Sequence, residues 1–347
     1  SLLYEWKGQD PEAAPVMLCA HLDVVPTPNA DRWEHEPFSG HIDENDTVWG
    51  RGAIDNKHNV ISQLEAVERL LNSGVKQPSR TVLFAMGHDE EIGGTEGAKS
   101  LAKEVAHRLS KLQSSSKLAL ILDEGVFAVK GLVPGISAPM GLVGNVEKGS
   151  ISVHLSVDCV PPGHSSMPPS ETNFGILANA VARLEARPMP AHLDSFMDSL
   201  AMLGSELPWP LAMVLANGWL FKPILRSAML RKPTTAAASR TTTAVTMART
   251  GEKINVIPGL AEAWVNHRIH PGDVNKERVI AFDRKVIRDK RVKVEEWLTK
   301  TSNYIPPSPT TPVNGPAFQY VRKLLKVALG VPAAPTLMIG NTDTRWY

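Results

Sequence analysis

Short apolar runs alternate with helical patterns through the first 125 residues, and acids or a histidine follow the runs. PVMLCA (15–20) and TVLFAMG (81–87) have the length and unbroken apolar character of strands buried on both faces, and KLALILDEG (117–125) is a third such run that ends in acids. Between them, KHNVISQLEAVERLLNSG (57–74) places its apolar residues at helical spacing before a terminal glycine, and GTEGAKSLAKEVAHRL (94–109) reads as a second helix. Strand–helix–strand–helix–strand predicts an α/β unit, a mostly parallel sheet with helices on both faces. Ligands bind at the carboxyl ends of the strands in such sheets. His21 and Asp23, then Asp89 to Glu91, then Asp123 and Glu124 stand at those ends.

The pattern changes at Lys148. SISVHLSVDC (150–159) alternates like a half-buried strand, a helix follows at about 172–187, and a Pro-rich apolar insert occupies 188–235. TTTAVTMART (241–250), LAEAWVNHRIH (260–270), a helix at 274–288 and RVKVEEWL (291–298) complete the order βαββαβ, the ferredoxin-like motif. After Pro306 the chain is expected to rejoin the first sheet. Residues 1–147 and 301–347 are therefore expected to form one domain, with an α+β domain of 148–300 inserted into it.

Bulk properties exclude several functions. A formal charge of +1 gives no field that would draw nucleic acid or an anionic membrane. No stretch reaches the roughly 20 apolar residues that span a bilayer. Leu207 to Phe221 comes nearest, but Pro208, Pro210, Asn217 and Gly218 interrupt it, which predicts a buried or interfacial segment. Cys19 and Cys159 cannot make a disulfide framework and read as inert thiols.

The chemistry rests on four segments: His21-Leu22-Asp23, Gly50 to Lys57 with Asp55, Asp89-Glu90-Glu91, and Asp123-Glu124. One alone means little, since acids after strands are common in loops. Four in one sheet bring several carboxylates together, and their repulsion calls for a cation. Imidazole among carboxylates suits zinc better than magnesium or calcium.

HLDVVP, WGRGAIDNK, GHDEEIGGTEGA, LDEG, GHSSMPP, NVIP and RIHPG occur in the order and spacing of the co-catalytic zinc peptidases that include aminoacylase and carboxypeptidase S. RTTTAVTMARTGEKINVIPG, PPSETNFGILANAVARLE and IGNTDTRWY resemble still more closely the N-fatty-acyl-amino-acid synthase/hydrolase branch. The resemblance runs over nearly the whole chain and implies two zinc ions per subunit. His21 and Asp123 would each bind one, Asp55 would bridge both, and Glu91 would bind the second. Glu90 would be the general base, and Asp23 would orient the His21 ring. His164 would polarise the scissile carbonyl from the lid, commonly in a partner subunit's site. Asn255, Arg268 and Gly340 would contact substrate, Arg268 by a bidentate grip on a carboxylate. Gly340 and Asp343 lie in a loop that reads GGTD in relatives and GNTD here. A cis peptide bond after Asp55 is implied as well.

Other readings of these residues stay open. Asp55 can be a helix N-cap, Glu124 can replace Asp123 as a ligand, His164 can be a loop histidine, and Arg268 can be a structural arginine. His35, His41, His58 and His88 read as ordinary polar residues. The apolar insert can cover a long acyl chain or simply pack on itself. The family's last zinc ligand is a histidine some tens of residues beyond the GTD-type loop. No histidine follows His270, so the chain is expected to be a fragment. The expected activity is metal-dependent hydrolysis of the amide bond of N-acyl, and specifically N-fatty-acyl, amino acids, with the reverse condensation possible in kind. The alternatives are a carboxypeptidase S-like exopeptidase on short peptides and a non-catalytic binding member. A homodimer through the lid is expected. So is a secreted or lumenal location, since relatives are so placed and Asn45-Asp46-Thr47 is a glycosylation sequon.

Overall fold

The apolar runs of the first 125 residues form one sheet because each is apolar on both faces. In the computed structural model, which describes residues 1–111, 117–125, 128–131, 139–193, 197, 202–204, 207–273, 275–299 and 304–347, they become β2 (Val16–His21), β3 (Val82–Gly87) and β4 (Leu120–Leu122), joined at one edge by a mostly exposed β1 (Leu2–Trp6). The sheet order is β1-β3-β2-β4. β2 runs parallel to β3 and β4, and only β1 is antiparallel. Met17, Cys19, Leu83 and Ala85 point to one face, where Leu101, Val105 and Leu109 of α2 (Ala98–Leu109) cover them. Ala20, Phe84 and Met86 point to the other, against Val60 and Val67 of α1 (Lys57–Asn72). This is the two-period of strands meeting the helical period of two amphipathic helices.

Helix α2 starts later than the sequence predicts. The Asp89 carboxylate, 4% exposed, accepts the backbone N–H groups of Glu96 (2.8 Å) and Gly97 (2.9 Å). Residues 94–97 are thus drawn into a loop around a buried acid, and helical hydrogen bonding begins after them.

By contacts the chain separates into Ser1–Gly125 with Thr342–Tyr347, and Val126–Asn341. Segments 126–147 and 301–341, expected with the first group, fall in the second. There β5 (Met140–Glu147) leads into β6 (Gly149–Val157), α3 (Asn173–Ala186), the insert helices α4 (Trp209–Ala216), α5 (Gly218–Leu230) and α6 (Pro233–Ser239), β7 (Thr242–Thr250), β8 (Ala261–Ile269), α7 (Lys276–Ile287), β9 (Lys293–Glu296), α8 (Pro316–Leu329) and β10 (Ala333–Met338). β10 pairs in parallel with β5 rather than joining β1–β4, so after Pro306 only Thr342–Tyr347 group again with the first unit.

The β7-β8-β6-β9 sheet is antiparallel throughout, the strand order of the expected βαββαβ motif. Alternate residues Ile151, Val153, Leu155 and Val157 face α3 and α7, packing on Ile176, Leu177, Leu184, Val279, Val286 and Ile287. Thr172 caps α3 by accepting the Gly175 N–H, and Asn275 caps α7 by accepting the Glu277 N–H. In the insert, Leu203, Leu207, Leu211 and Leu215 pack on Met140 and Ala334. Trp209 and Trp219 stay exposed at 75% and 79%.

Candidate metal centre

Because β2, β3 and β4 are parallel, residues that follow them emerge at one edge of the sheet. His21, the last residue of β2, is 2% exposed. Its Nδ1 lies 3.1 Å from the Asp23 carbonyl and 3.3 Å from the Asp23 carboxylate. Its Nε2 lies 2.9 Å from Asp55 Oδ1 and 3.5 Å from Glu124 Oε2. The Asp55–Asn56 peptide bond is cis, as the resemblance implies. Asp55 stands just before α1 but makes no side-chain cap, and the N-cap residue is Asn56.

After β3 the chain makes a short 3₁₀ turn at Glu90–Ile92. The Asp23 carboxylate holds that turn by accepting the N–H of Glu90 (3.2 Å) and of Glu91 (3.0 Å). It therefore links the imidazole to both glutamates. The turn sends Glu90 and Glu91 to different groups. His21, Asp55 and Glu91 place potential ligand atoms within 4.8 Å of one another, and so do His21, Glu90 and Glu124.

Asp123 belongs to neither group. Its Oδ2 accepts the Thr344 hydroxyl (2.9 Å) and its Oδ1 the N–H of Glu124 (2.9 Å). Two neighbours beyond a strand end point apart, so one of the Asp123–Glu124 pair turns inward to Thr344 while the other faces His21. Asp343 comes close because Gly87 and Gly94 have no side chains. A Cβ at either would stand 2.5 Å or 2.3 Å from the Asp343 carboxylate oxygens. Asp343 Oδ1 is buried without a hydrogen-bond partner among the described residues. The sequence places Asp343 in the GNTD loop without a role of its own and singles out nothing at Thr344. The GNTDT run was the one visible signal.

The charge balance is poor for a metal-free protein. Burial lowers the His21 pKa, but Glu124, Glu90 and Asp23 outweigh it and push it up to about 10. Burial, then the charges of Glu124 and Asp343, raises Glu90 to about 8. Burial and the Asp123 charge raise Asp343 to about 7. Burial, with Asp55 and Asp23 adding to it, raises Glu91, and burial raises Asp123. Carboxylates that resist ionisation together are the electrostatic mark of a cluster suited to a cation. One imidazole nitrogen among several carboxylate oxygens is a donor set that fits zinc.

The remaining candidate residues lie in the second unit. His164 and Asn255 are brought together by a two-residue ladder, Gly163↔Ile257 and His164↔Val256, with the Ser165 N–H donating to the Asn255 carbonyl at 3.1 Å. His164 is exposed, and its Nδ1 accepts the Ser166 N–H at 3.2 Å. A backbone N–H can only donate, so Nδ1 is the acceptor nitrogen and a neutral ring carries its proton on Nε2. Arg268, near the end of β8, donates from Nη1 to Asn341 Oδ1 at 3.1 Å. Gly340 has open space where a Cβ would stand.

The sequence profile described as Peptidase family M20/M25/M40 matches residues 17–347. A carboxypeptidase S-like protein of Dictyostelium discoideum is 42% identical over 349 residues, covering 100% of this chain and 65% of its own length. The N-fatty-acyl-amino acid synthase/hydrolase of Xenopus tropicalis is 42% identical over 352 residues, with 100% and 65% covered. This chain thus spans just under two thirds of the length of those relatives. Among solved structures, an M20 family metallo-carboxypeptidase from Sulfolobus solfataricus superposes with a TM-score of 0.65 at 17% identity, over 99% of this chain and 76% of that one. Human carnosine dipeptidase 1 follows with a TM-score of 0.63, 16% identity and coverage of 99% and 72%. Both share the fold.

Proposed function

Since the chain belongs to peptidase family M20/M25/M40, we propose that the protein it comes from is a zinc-dependent amide hydrolase that cleaves N-acyl, and specifically N-fatty-acyl, amino acids. The observation that carries this reading is the pair of ligand groups sharing His21 at the parallel sheet edge. In this reading two zinc ions share the cluster, with His21 Nε2 serving one of them and Glu90 left as the base. His21, Asp55 and Glu91 would hold the metals, joined by a carboxylate from the Asp123–Glu124 step. The resemblance favours Asp123 for that place, and the 3.5 Å approach to His21 favours Glu124.

When bound, the ions supply Lewis acidity and lower the pKa of nearby water. Asp23 fixes the His21 ring through its carbonyl and the Glu90–Glu91 turn through its carboxylate. Glu90 takes the proton from the attacking water and passes it to the departing amine nitrogen, while the water oxygen bonds to the carbonyl carbon. His164 offers its Nε2 proton to the carbonyl oxygen. Arg268 and Asn255 hold the amino-acid end of the substrate, beside the Gly340 loop. The acyl class comes from the synthase/hydrolase relative, and the apolar insert with its exposed Trp209 and Trp219 is the proposed cover for the chain.

Residues 148–300 are proposed as the lid and as the surface of a homodimer, on a catalytic domain whose bounds of 1–147 and 301–347 follow the positions of the motifs rather than the grouping of contacts. A secreted or lumenal location belongs to the same proposal, and Asn45 of the sequon is exposed. Among the described residues no helix is long and apolar enough to cross a membrane. Carboxypeptidase S-like exopeptidase action is the second reading, supported by the Dictyostelium relative. The test is the full-length protein loaded with zinc and offered N-dodecanoyl-leucine and a blocked dipeptide. Preference for the first supports the proposal, preference for the second the alternative. Metal binding without turnover of either leaves a binding protein.

A further inference from the structure

Arg268 and Asn341 are 73 residues apart in sequence, yet the loop after β10 brings the amide to the guanidinium. Asn341 uses both ends of its side chain. Its Oδ1 accepts from Arg268 Nη1 at 3.1 Å, and its Nδ2 donates to the carbonyl of Lys148. That carbonyl belongs to a rigid step of the chain. The Lys148 N–H donates to the Met338 carbonyl at 3.0 Å, and the Lys148 side chain, fully buried, donates to the Arg240 carbonyl at 2.7 Å. Gly149 has no room for a side chain, since a Cβ would stand 2.5 Å from the Ile305 carbonyl oxygen. Asn341 is thus anchored at one end on fixed backbone and presents the other to an exposed arginine.

We propose that Asn341 is a positioning residue that orients the Arg268 guanidinium toward the substrate carboxylate and so sets preference for substrates carrying a free carboxylate. This rests on the reading of Arg268 as the carboxylate contact. An arginine on a flexible stem loses rotamer freedom when it grips a ligand, and a preformed bond to one Nη removes part of that cost. The orienting group also has to be neutral. An aspartate here would still face the guanidinium, but it would cancel the charge meant for the substrate and, having no N–H, would set a carboxylate oxygen against the Lys148 carbonyl.

The test uses the full-length zinc enzyme with N-dodecanoyl-leucine and with N-dodecanoyl-leucinamide, which lacks the carboxylate. Asn341→Ala should raise KM for the acid about tenfold, the worth of one hydrogen bond to a charged group, with kcat unchanged within about twofold and the amide unaffected. Asn341→Asp should lose more of the acid preference than Asn341→Ala, although it keeps an acceptor for Arg268. A merely structural amide lowers turnover of the acid and of the leucinamide alike in both variants and leaves the acid preference unchanged. Arg268→Ala is run alongside. If it abolishes the acid preference while both Asn341 variants retain it, the inference about Asn341 is wrong and the reading of Arg268 stands. If Arg268→Ala itself keeps the preference, the reading of Arg268 is wrong and the inference goes with it. Should Asn341→Ala fail to fold, Asn341→Ser is too short to span both partners and gives the same comparison. Should turnover be too slow, calorimetric binding of both compounds to the Glu90→Gln zinc protein replaces KM.

Discussion

Replacing Asp23 with Asn separates what this carboxylate does for the fold from what it does for the metal centre. Its oxygens accept the N–H groups of Glu90 and Glu91 at 3.2 and 3.0 Å and stand 3.3 Å from His21 Nδ1, with the side chain 19% exposed. Hydrogen bonds to a charged group contribute about 1.5–3 kcal/mol each, and an asparagine turns an NH₂ toward one of the two N–H donors. The loss is therefore about 3 kcal/mol before compensation. In the metal-free protein there is compensation, because one charge leaves a crowd of carboxylates. Two unit charges about 8 Å apart repel by about 2 kcal/mol at an effective dielectric of about 20. Net destabilisation without metal should be about 1 kcal/mol. With zinc bound the repulsion is already neutralised, so the cost should rise toward 3 kcal/mol and zinc affinity should fall about 10–100-fold. Urea denaturation of both proteins, with chelator and with saturating zinc, measures the difference, and a competition titration measures affinity. An equal midpoint shift in the two conditions, or an unchanged zinc affinity, would refute this account of Asp23.

Glu90→Gln should keep zinc content, measured by atomic emission, and abolish turnover, whereas Glu91→Gln should lower zinc content; equal loss in both would reverse or erase the assignment. Of Asp123→Asn and Glu124→Gln, the variant that loses zinc identifies the ligand, and the other should lose only stability, by about 1–3 kcal/mol if it breaks the buried bond to Thr344. Burial, and after it the Arg268 charge, holds the Lys148 ammonium down at about 8. The folded chain then binds fewer protons than the unfolded chain between about pH 8 and pH 10.5, so stability should rise with pH across that window. Lys148→Met should flatten the rise in urea midpoint, and an unchanged slope would exclude Lys148 as its source. Mixing His164→Ala with Glu90→Gln subunits of the full-length protein should restore activity if His164 acts across a dimer, and subunit exchange without recovery would show that it acts within one chain.

The periodicity of the chain determined the elements and the fold class. Runs such as VMLCA and VLFAM are apolar at every position and can be satisfied only between two helical layers, while SISVHLSV alternates and can bury one face alone. Strand ends then place His21, Glu90, Glu91, Asp123 and Glu124 at one edge, so the chemistry was legible as residue types in order. Tertiary structure decided what local pattern leaves open. β5 and β10 are both apolar strands, and periodicity does not say that they pair with each other. Helix α2 gives up its first turn because the buried carboxylate of Asp89, seven and eight residues back, takes the N–H groups of Glu96 and Gly97. Adjacent acids carry the same label in sequence, but Thr344 turns Asp123 inward and leaves Glu124 to face His21. Asn341 reads as one loop residue among others until folding sets it between Arg268 and the Lys148 carbonyl. Strand and helix periods are local properties of the chain, whereas the direction of a side chain at a strand end depends on partners that arrive from more than 200 residues away, as Thr344 does for Asp123.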